Sequence, residues 1–306
     1  MVKVLVLGAT GFLGNALATA FARAGHQTYG LVRSQVKAKV LEKEEIIVVV
    51  ADINEPAKWS SVAEKVDVVV DATVDYQNPV GHVERILSTV ESASRKRVSN
   101  GAQKLVYIFT SGIWVYGENG SNVLTESSLP NNPPKHIAWR IDVEKKIISS
   151  TDVNGIVFRP GTFYGKGGSL TAIWFNAALQ GDLKTPGKRD LRWAVVHVDD
   201  LADAYVRAAE RAELVKGQIF IVANNQSESI SDCLEAVARV TGYKSDSNKA
   251  ISFVEPDPAN PIDIGRAISN VVDSSKVRNL LGWKQQHLGF VDGIDFWWAS
   301  FKAHNL

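Results

Sequence analysis

Three glycines near the start of the chain have the type and spacing to hold a phosphate. The run Gly8-Ala-Thr10-Gly11-Phe12-Leu13-Gly14 follows a short apolar stretch and leads into Ala- and Leu-rich sequence. Glycine at a strand end lets the backbone turn tightly and approach a pyrophosphate. The helix that follows offers free N–H groups and a positive dipole end. Further on, Gly30-Leu-Val-Arg33-Ser34 ends a second apolar run. A carboxylate at that place would bind ribose hydroxyls, whereas the planar guanidinium fork of Arg33, with Lys37 and Lys39 nearby, suits a 2′-phosphate. The expected cofactor is therefore NADP(H). Asp52 and Ile53 at the end of a third run would meet the adenine, and Ala72 and Thr73 after a fourth would line the nicotinamide side.

These residues need a scaffold, and the hydrophobic pattern supplies one. Runs at 2–7, 28–32, 46–51, 67–71 and 105–110 are short and rich in Val and Ile, as strands covered on both faces are. Helix-like stretches near 12–24, 56–65 and 81–99 separate them, which is the parallel strand–helix–strand signature. Residues 117–135 read as a long polar loop. The alternation resumes with a helix at 136–150, a strand at 155–159, a Gly-rich loop at 161–168 and a helix at 170–180. A strand at 195–198, a helix at 200–213 and a strand at 218–222 follow. The remainder reads as a helix at 230–241, a Pro-rich stretch at 254–262 and helices near 273–281 and 289–303.

Composition narrows the function. With 34 Lys+Arg against 33 Asp+Glu among 306 residues, the chain has no polyanion footprint, so nucleic acid is not an expected partner. The lone Cys233 excludes an internal disulfide and fits a reducing compartment, and Cys233 itself reads as core. The six histidines form no HExxH-like pair, so no metal is expected. Glycines 8, 11 and 14 interrupt the one segment that resembles a signal peptide. No run reaches the roughly 18–20 apolar residues of a membrane span. The expectation is a cytoplasmic protein with a small-molecule substrate, no membrane partner, and homodimerisation left open.

Five blocks together resemble the extended short-chain dehydrogenase/reductase superfamily, which includes nucleotide-sugar epimerases and dihydroflavonol-type reductases. They are GATGFLG (8–14), TSGIWVYG (110–117), RPGTFYG (159–165), VVHVDDLADAY (195–205) and DSSKVRNLLGW (273–283). The resemblance implies an α/β fold with a doubly wound Rossmann sheet. Residues 1–165, with 192–224 returning, would form the dinucleotide-binding domain, and 166–306 a smaller, mostly helical substrate lobe. It also implies redox chemistry at a carbonyl or carbinol, with Thr110, Pro160 and Thr162 beside the cofactor.

The family's catalytic set is not present. A Ser or Thr is expected four residues before Tyr116, and Gly112 stands there, just after Thr110 and Ser111. Where Tyr-x-x-x-Lys is expected the chain has His136 and Arg140. Arg140 can donate to ribose hydroxyls but cannot release a proton. His136 can carry a proton near neutral pH, although a helix start and a neighbouring guanidinium disfavour its charged form. Tyr116 and Tyr164 are alternative proton donors. Trp114, Trp139, Trp174 and Trp193 suggest an apolar cleft. The expected function is an NADP(H)-dependent oxidoreductase acting on a small apolar carbonyl or hydroxyl compound. A nucleotide-sugar epimerase/dehydratase and a non-catalytic NADP(H) sensor are the alternatives.

If Arg33 receives a 2′-phosphate, Arg33→Asp should weaken NADP(H) binding at least tenfold more than NAD(H) binding by calorimetry. One charge-assisted contact worth about 1.5–3 kcal/mol is lost and a like charge is gained. A wild-type preference for NAD(H) would remove that role from Arg33.

Overall fold

In the computed structural model, which describes residues 1–120, 122–244 and 250–306, the apolar runs pair into one seven-stranded sheet. Counting only this sheet, its strands are β1 (Lys3–Leu7), β2 (Gln27–Val32), β3 (Ile47–Val50), β4 (Val68–Asp71), β5 (Val106–Thr110), β6 (Asn154–Pro160) and β7 (Ile219–Val222). Their spatial order is β3-β2-β1-β4-β5-β6-β7, and every pairing is parallel. This is the doubly wound Rossmann arrangement. Strand order reverses between β1 and β4, so a crevice opens beyond their carboxyl ends.

The central runs are apolar over most of their length because both faces are covered. Val4 and Val6 pack with Leu17, Phe21, Phe158 and Tyr205 on one face. Leu5 and Leu7 pack with Trp59, Leu87, Tyr107 and Ile147 on the other. Helices Phe12–Arg23 and Val198–Glu210 lie together over the first face, and Pro79–Ser99 and Trp139–Ile148 over the second. The β7 edge is covered by side chains: the Ile221 amide donates to Glu126 Oε1 (2.8 Å), and Lys276 Nζ donates to the Ile219 carbonyl (2.8 Å). Edge strands protected in this way do not recruit further strands.

Two sequence expectations are corrected. The strand expected at 195–198 is Arg192–His197, and it lies outside the main sheet. It pairs with Thr162–Tyr164 and Ser227–Ser229 in a separate three-stranded sheet, while Val198 already opens a helix. The helix expected from 136 begins at Trp139, so His136 sits in the turn before it. A third cluster, with Trp174, Phe175, Trp193, Phe290 and Phe301, forms the core of the C-terminal part. No helix among the described residues is long and apolar enough to cross a membrane.

The glycines differ sharply in the space they leave. A Cβ on Gly14 would lie 2.0 Å from the Gly8 carbonyl oxygen, whereas one on Gly112 would meet nothing within 4 Å. Gly14→Ala should therefore destabilise the fold by about 1–3 kcal/mol or more in denaturant unfolding, because backbone must move. Gly112→Ala should change stability by less than about 0.5 kcal/mol.

Candidate active site

The first turn is built for a close approach to backbone. Gly8 has φ +79°, and the amide of Gly11 donates to its carbonyl (2.8 Å). A Cβ on Gly8 would touch Thr73 Cγ2 at 3.0 Å and the Ala72 carbonyl at 3.1 Å, so the turn after β1 lies against the segment after β4. Thr10, Gly11 and Phe12 remain accessible at the mouth, while Leu13 and Gly14 are buried beneath it. Phe12 stacks on Phe163 with ring centres 5.9 Å apart. Arg33 is exposed just beyond β2. Asp52 accepts from the Asn54 amide (2.8 Å), and the Ile53 carbonyl accepts from Trp59 Nε1 (3.2 Å), which fixes the turn after β3. A free helix start, a cradle with no room for side chains and an accessible guanidinium fit a dinucleotide.

Beside this turn the structure reveals a buried polar group. Asp71, the last residue of β4, is 1% exposed. Its carboxylate accepts from the Thr73 amide (2.9 Å), the Thr73 hydroxyl (2.6 Å) and the Tyr107 hydroxyl (2.9 Å). Burial and the neighbouring Asp71 push the Tyr107 phenol well above its usual range, so Tyr107 donates. Thr73 also meets His82 Nε2 (2.7 Å), and the Thr110 hydroxyl donates to the Asp71 carbonyl (2.7 Å) and pairs with Tyr205 (2.9 Å). The available sequence signal was one carboxylate closing a run of valines.

Of the candidate catalytic residues, Ser111 and Arg140 lie at the end of β5, and the Arg140 charge acts on His136. Arg140 Nη1 donates to the Thr110 carbonyl (3.0 Å), with its guanidinium over the rings of Trp139 (4.6 Å) and Phe109 (5.9 Å). No carboxylate pairs directly with Arg140 among the described residues, and burial lowers its pKa. Ser111 is 8% exposed with its hydroxyl unpartnered, and His136 Nε2 is buried without a partner. Burial first, and Arg140 second, hold His136 below the usual histidine pKa. Buried polar atoms normally find a partner, so two orphans beside an unpaired guanidinium mark a place for a polar ligand. Pro160 and Thr162 are buried on either side of Gly161, whose Cβ would meet the Ala194 carbonyl at 2.5 Å.

Tyr116 and Tyr164, expected as alternative proton donors, are occupied elsewhere. The Tyr116 hydroxyl donates to the Thr125 carbonyl (2.9 Å) and accepts from Arg159 (2.7 Å), which in turn is held by the buried carboxylate of Glu144. The Tyr164 hydroxyl donates to the Leu288 carbonyl and accepts from Asn224 (3.1 Å). Burial raises the pKa of both phenols. Trp174 and Trp193 are likewise not cleft walls; they stack on each other at 5.0 Å inside the C-terminal core. Trp114 stays half-buried and lies flat on Gly265. Cys233 is core, 1% exposed.

One group of potential metal ligands, His197, Asp199 and His287, comes together from segments the sequence keeps apart. Its groups already have partners. His197 Nδ1 accepts from the Asp199 amide (3.2 Å), Lys166 pairs with Asp199 (2.6 Å), and His287 Nδ1 pairs with Asp200 (2.7 Å). The two imidazoles stack at 3.8 Å and 14°, so their in-plane lone pairs run parallel and do not converge. A cavity of about 500 Å³ borders His287, and none of the sequence-expected site residues lines it.

Fold and crevice together define a doubly wound Rossmann-type protein. A model of the NAD dependent epimerase/dehydratase family matches residues 4–223, and the chain belongs to that family. It is similar to the 3-diazoavenalumate denitrifying reductase of a Streptomyces species, with 26% identity over 316 residues, covering 95% of this chain and 99% of that one. A probable UDP-arabinose 4-epimerase from Oryza sativa subsp. japonica is 28% identical over 146 residues, covering 45% of this chain and only 32% of its own length. The solved UDP-glucuronic acid 4-epimerase from Bacillus cereus, in complex with UDP-glucuronic acid and NAD, shares the fold with TM-score 0.81. Its identity is 20%, over 98% of this chain and 99% of that one.

The stacked imidazoles predict an acid limb of stability. Burial, then the neighbouring His287, pull His197 down to about 4, whereas in the unfolded chain it titrates near ~6.5. Unfolded chain therefore takes up the proton first, and stability is lost as pH falls from about 6.5 towards 4. His287, raised chiefly by its bond to Asp200, acts oppositely and loses its contribution as pH rises through its raised pKa. His197→Asn keeps a helix cap without the titration. Melting temperature in that variant should fall less between pH 6.5 and 4 than in wild type.

Proposed function

We propose that the crevice binds a nicotinamide dinucleotide and that the chain performs redox chemistry at a carbon bearing oxygen. Gly8, Gly11 and Gly14 would hold the pyrophosphate at the helix start, Arg33 the adenosine end, and Thr73, Thr110 and Arg140 the nicotinamide riboside. The cofactor, when bound, supplies or accepts a hydride. Arg33 supports NADP(H), whereas the Bacillus cereus neighbour was solved in complex with NAD. The observation that carries the reading is the pair of orphaned atoms, Ser111 Oγ and His136 Nε2, beside Arg140. A substrate oxygen held there takes a hydrogen bond from the Ser111 hydroxyl, which stands in for the side chain missing at Gly112. Neutral His136 removes the proton of a substrate hydroxyl, or returns it to the oxygen in the opposite direction.

The names of the relatives support a nucleotide sugar better than the small apolar compound expected from the sequence. Oxidation and re-reduction at one carbinol, with His136 taking and returning one proton, is the leading form. A reductase acting on a smaller molecule is the second reading. It is favoured by the similarity to the Streptomyces reductase over nearly the full length of both chains.

The test is turnover of UDP-sugars and aryl carbonyls with NAD(H) and NADP(H). His136→Phe should lower turnover by about 10²–10⁴-fold with little change in cofactor affinity. His136→Tyr should recover part of the activity and move the optimum upward. Because His136 lies below the usual histidine range, the acid limb of wild-type kcat/KM should fall below pH ~6.5. Full turnover in His136→Phe would overturn its role. Tight cofactor binding with no turnover on any substrate would favour the sensor.

A further inference from the structure

Asp71 is a buried carboxylate without an ion pair. Among the described residues it receives two hydroxyls and one backbone amide, and no Lys, Arg or His bridges to it. Taking a carboxylate out of water is costly, and three neutral donors offset only part of that cost. A neutral amide could accept from Tyr107 and Thr73 almost as well. A charge kept at this depth is explained if positive charge comes to it.

Its location says where from. Asp71 closes β4 at the switch point, and the next two residues, Ala72 and Thr73, lie against Gly8 of the phosphate turn. The Asp71 carbonyl binds Thr110, whose own carbonyl holds Arg140. The charges of Asp71 and Arg140 also act on each other across this gap. Arg140, buried beside the crevice with no carboxylate in direct contact among the described residues, repels any further cation. The charges of Glu144 and, less strongly, Asp71 act on it, and of these two carboxylates Asp71 is the one with no arginine bound to it.

We propose that Asp71 sets which oxidation state of the cofactor the crevice prefers, by favouring the oxidised dinucleotide, whose ring carries a positive charge, over the neutral reduced form. The inference rests on the crevice being the dinucleotide site proposed above. It does not depend on the substrate. Preferential hold on the oxidised form suits a cycle that begins by oxidising a carbinol.

The experiment is equilibrium binding, with no turnover: dissociation constants of NADP⁺ and NADPH, and of NAD⁺ and NADH, by calorimetry. In wild type the oxidised form should bind at least as tightly as the reduced form despite Arg140. Asp71→Asn should raise the oxidised-to-reduced ratio of dissociation constants about tenfold, as expected for a unit charge several ångströms away in a partly buried site. Most of the change should be weaker binding of the oxidised form. Tyr107→Phe, which keeps the charge and removes one hydrogen bond to it, should leave the ratio within about twofold. A ratio unchanged in a folded Asp71→Asn, checked by circular dichroism, would overturn the proposal. If that variant does not fold, wild type decides alone: tighter binding of the reduced form overturns it. Failure of every dinucleotide to bind would instead overturn the proposed function, and this inference with it.

Discussion

The structure depends on one close contact, that of the helix start at Gly14 with the strand end at Gly8. There is no room for even a methyl group between them. Because helix Phe12–Arg23 sits down on β1 this tightly, its free amides face the gap where strand order reverses. The same contact brings the β1 turn against Ala72 and Thr73. A bulkier residue at this junction would lift the helix, open the sheet core around Leu17 and Phe21, and dissolve the crevice together with the fold. Stability and binding geometry are here one constraint.

Around that contact, the polar groups form two tiers with different accounts to settle. The lower tier, Asp71, Thr73, His82, Tyr107, Thr110 and Tyr205, is mutually hydrogen-bonded and fixes the strand ends. The upper tier, Ser111, His136 and Arg140, has donors and acceptors left over. A satisfied network rigidifies, and an unsatisfied one binds. The neighbouring Arg159–Glu144 pair explains why Tyr116, despite its place in the YG block, serves structure: its hydroxyl completes that buried pair.

The C-terminal part is tied back by carboxylates that accept from backbone. Asp200, 1% exposed on helix Val198–Glu210, takes the amides of Gln286 and His287 and the His287 ring. Glu228 takes the Phe290 amide (2.8 Å). These clamps hold the segment after Trp283 against the small sheet. Trp283 itself donates to the Asp200 carbonyl (2.7 Å). The last of the five sequence blocks thus ends on a tryptophan that docks one part of the chain onto the other.

The parallel strands and the glycine turn after β1 were legible in the sequence because they follow from local rules, while the doubly wound arrangement followed from the family resemblance. Continuous apolar runs, helix-forming intervals and glycine at a strand end each act within a few residues, and the five blocks pointed to the family. That Gly112, His136 and Arg140 stand where the usual set is expected was implied by the family resemblance. What each side chain does there was not legible, because a hydroxyl or imidazole is free or engaged according to neighbours far away in sequence. Tyr116 is engaged by Arg159 and Tyr164 by Asn224 and Leu288, while Ser111 and His136 are left open. Trp174 and Trp193 show the same limit, since the pattern that suggested a cleft wall is also that of a core stack. Asp71 was visible as a letter at the end of a valine run. Only the packing of β4 between β1 and β5 buried it, withheld a counter-ion and set it at the crevice, since burial and charge balance belong to the tertiary structure.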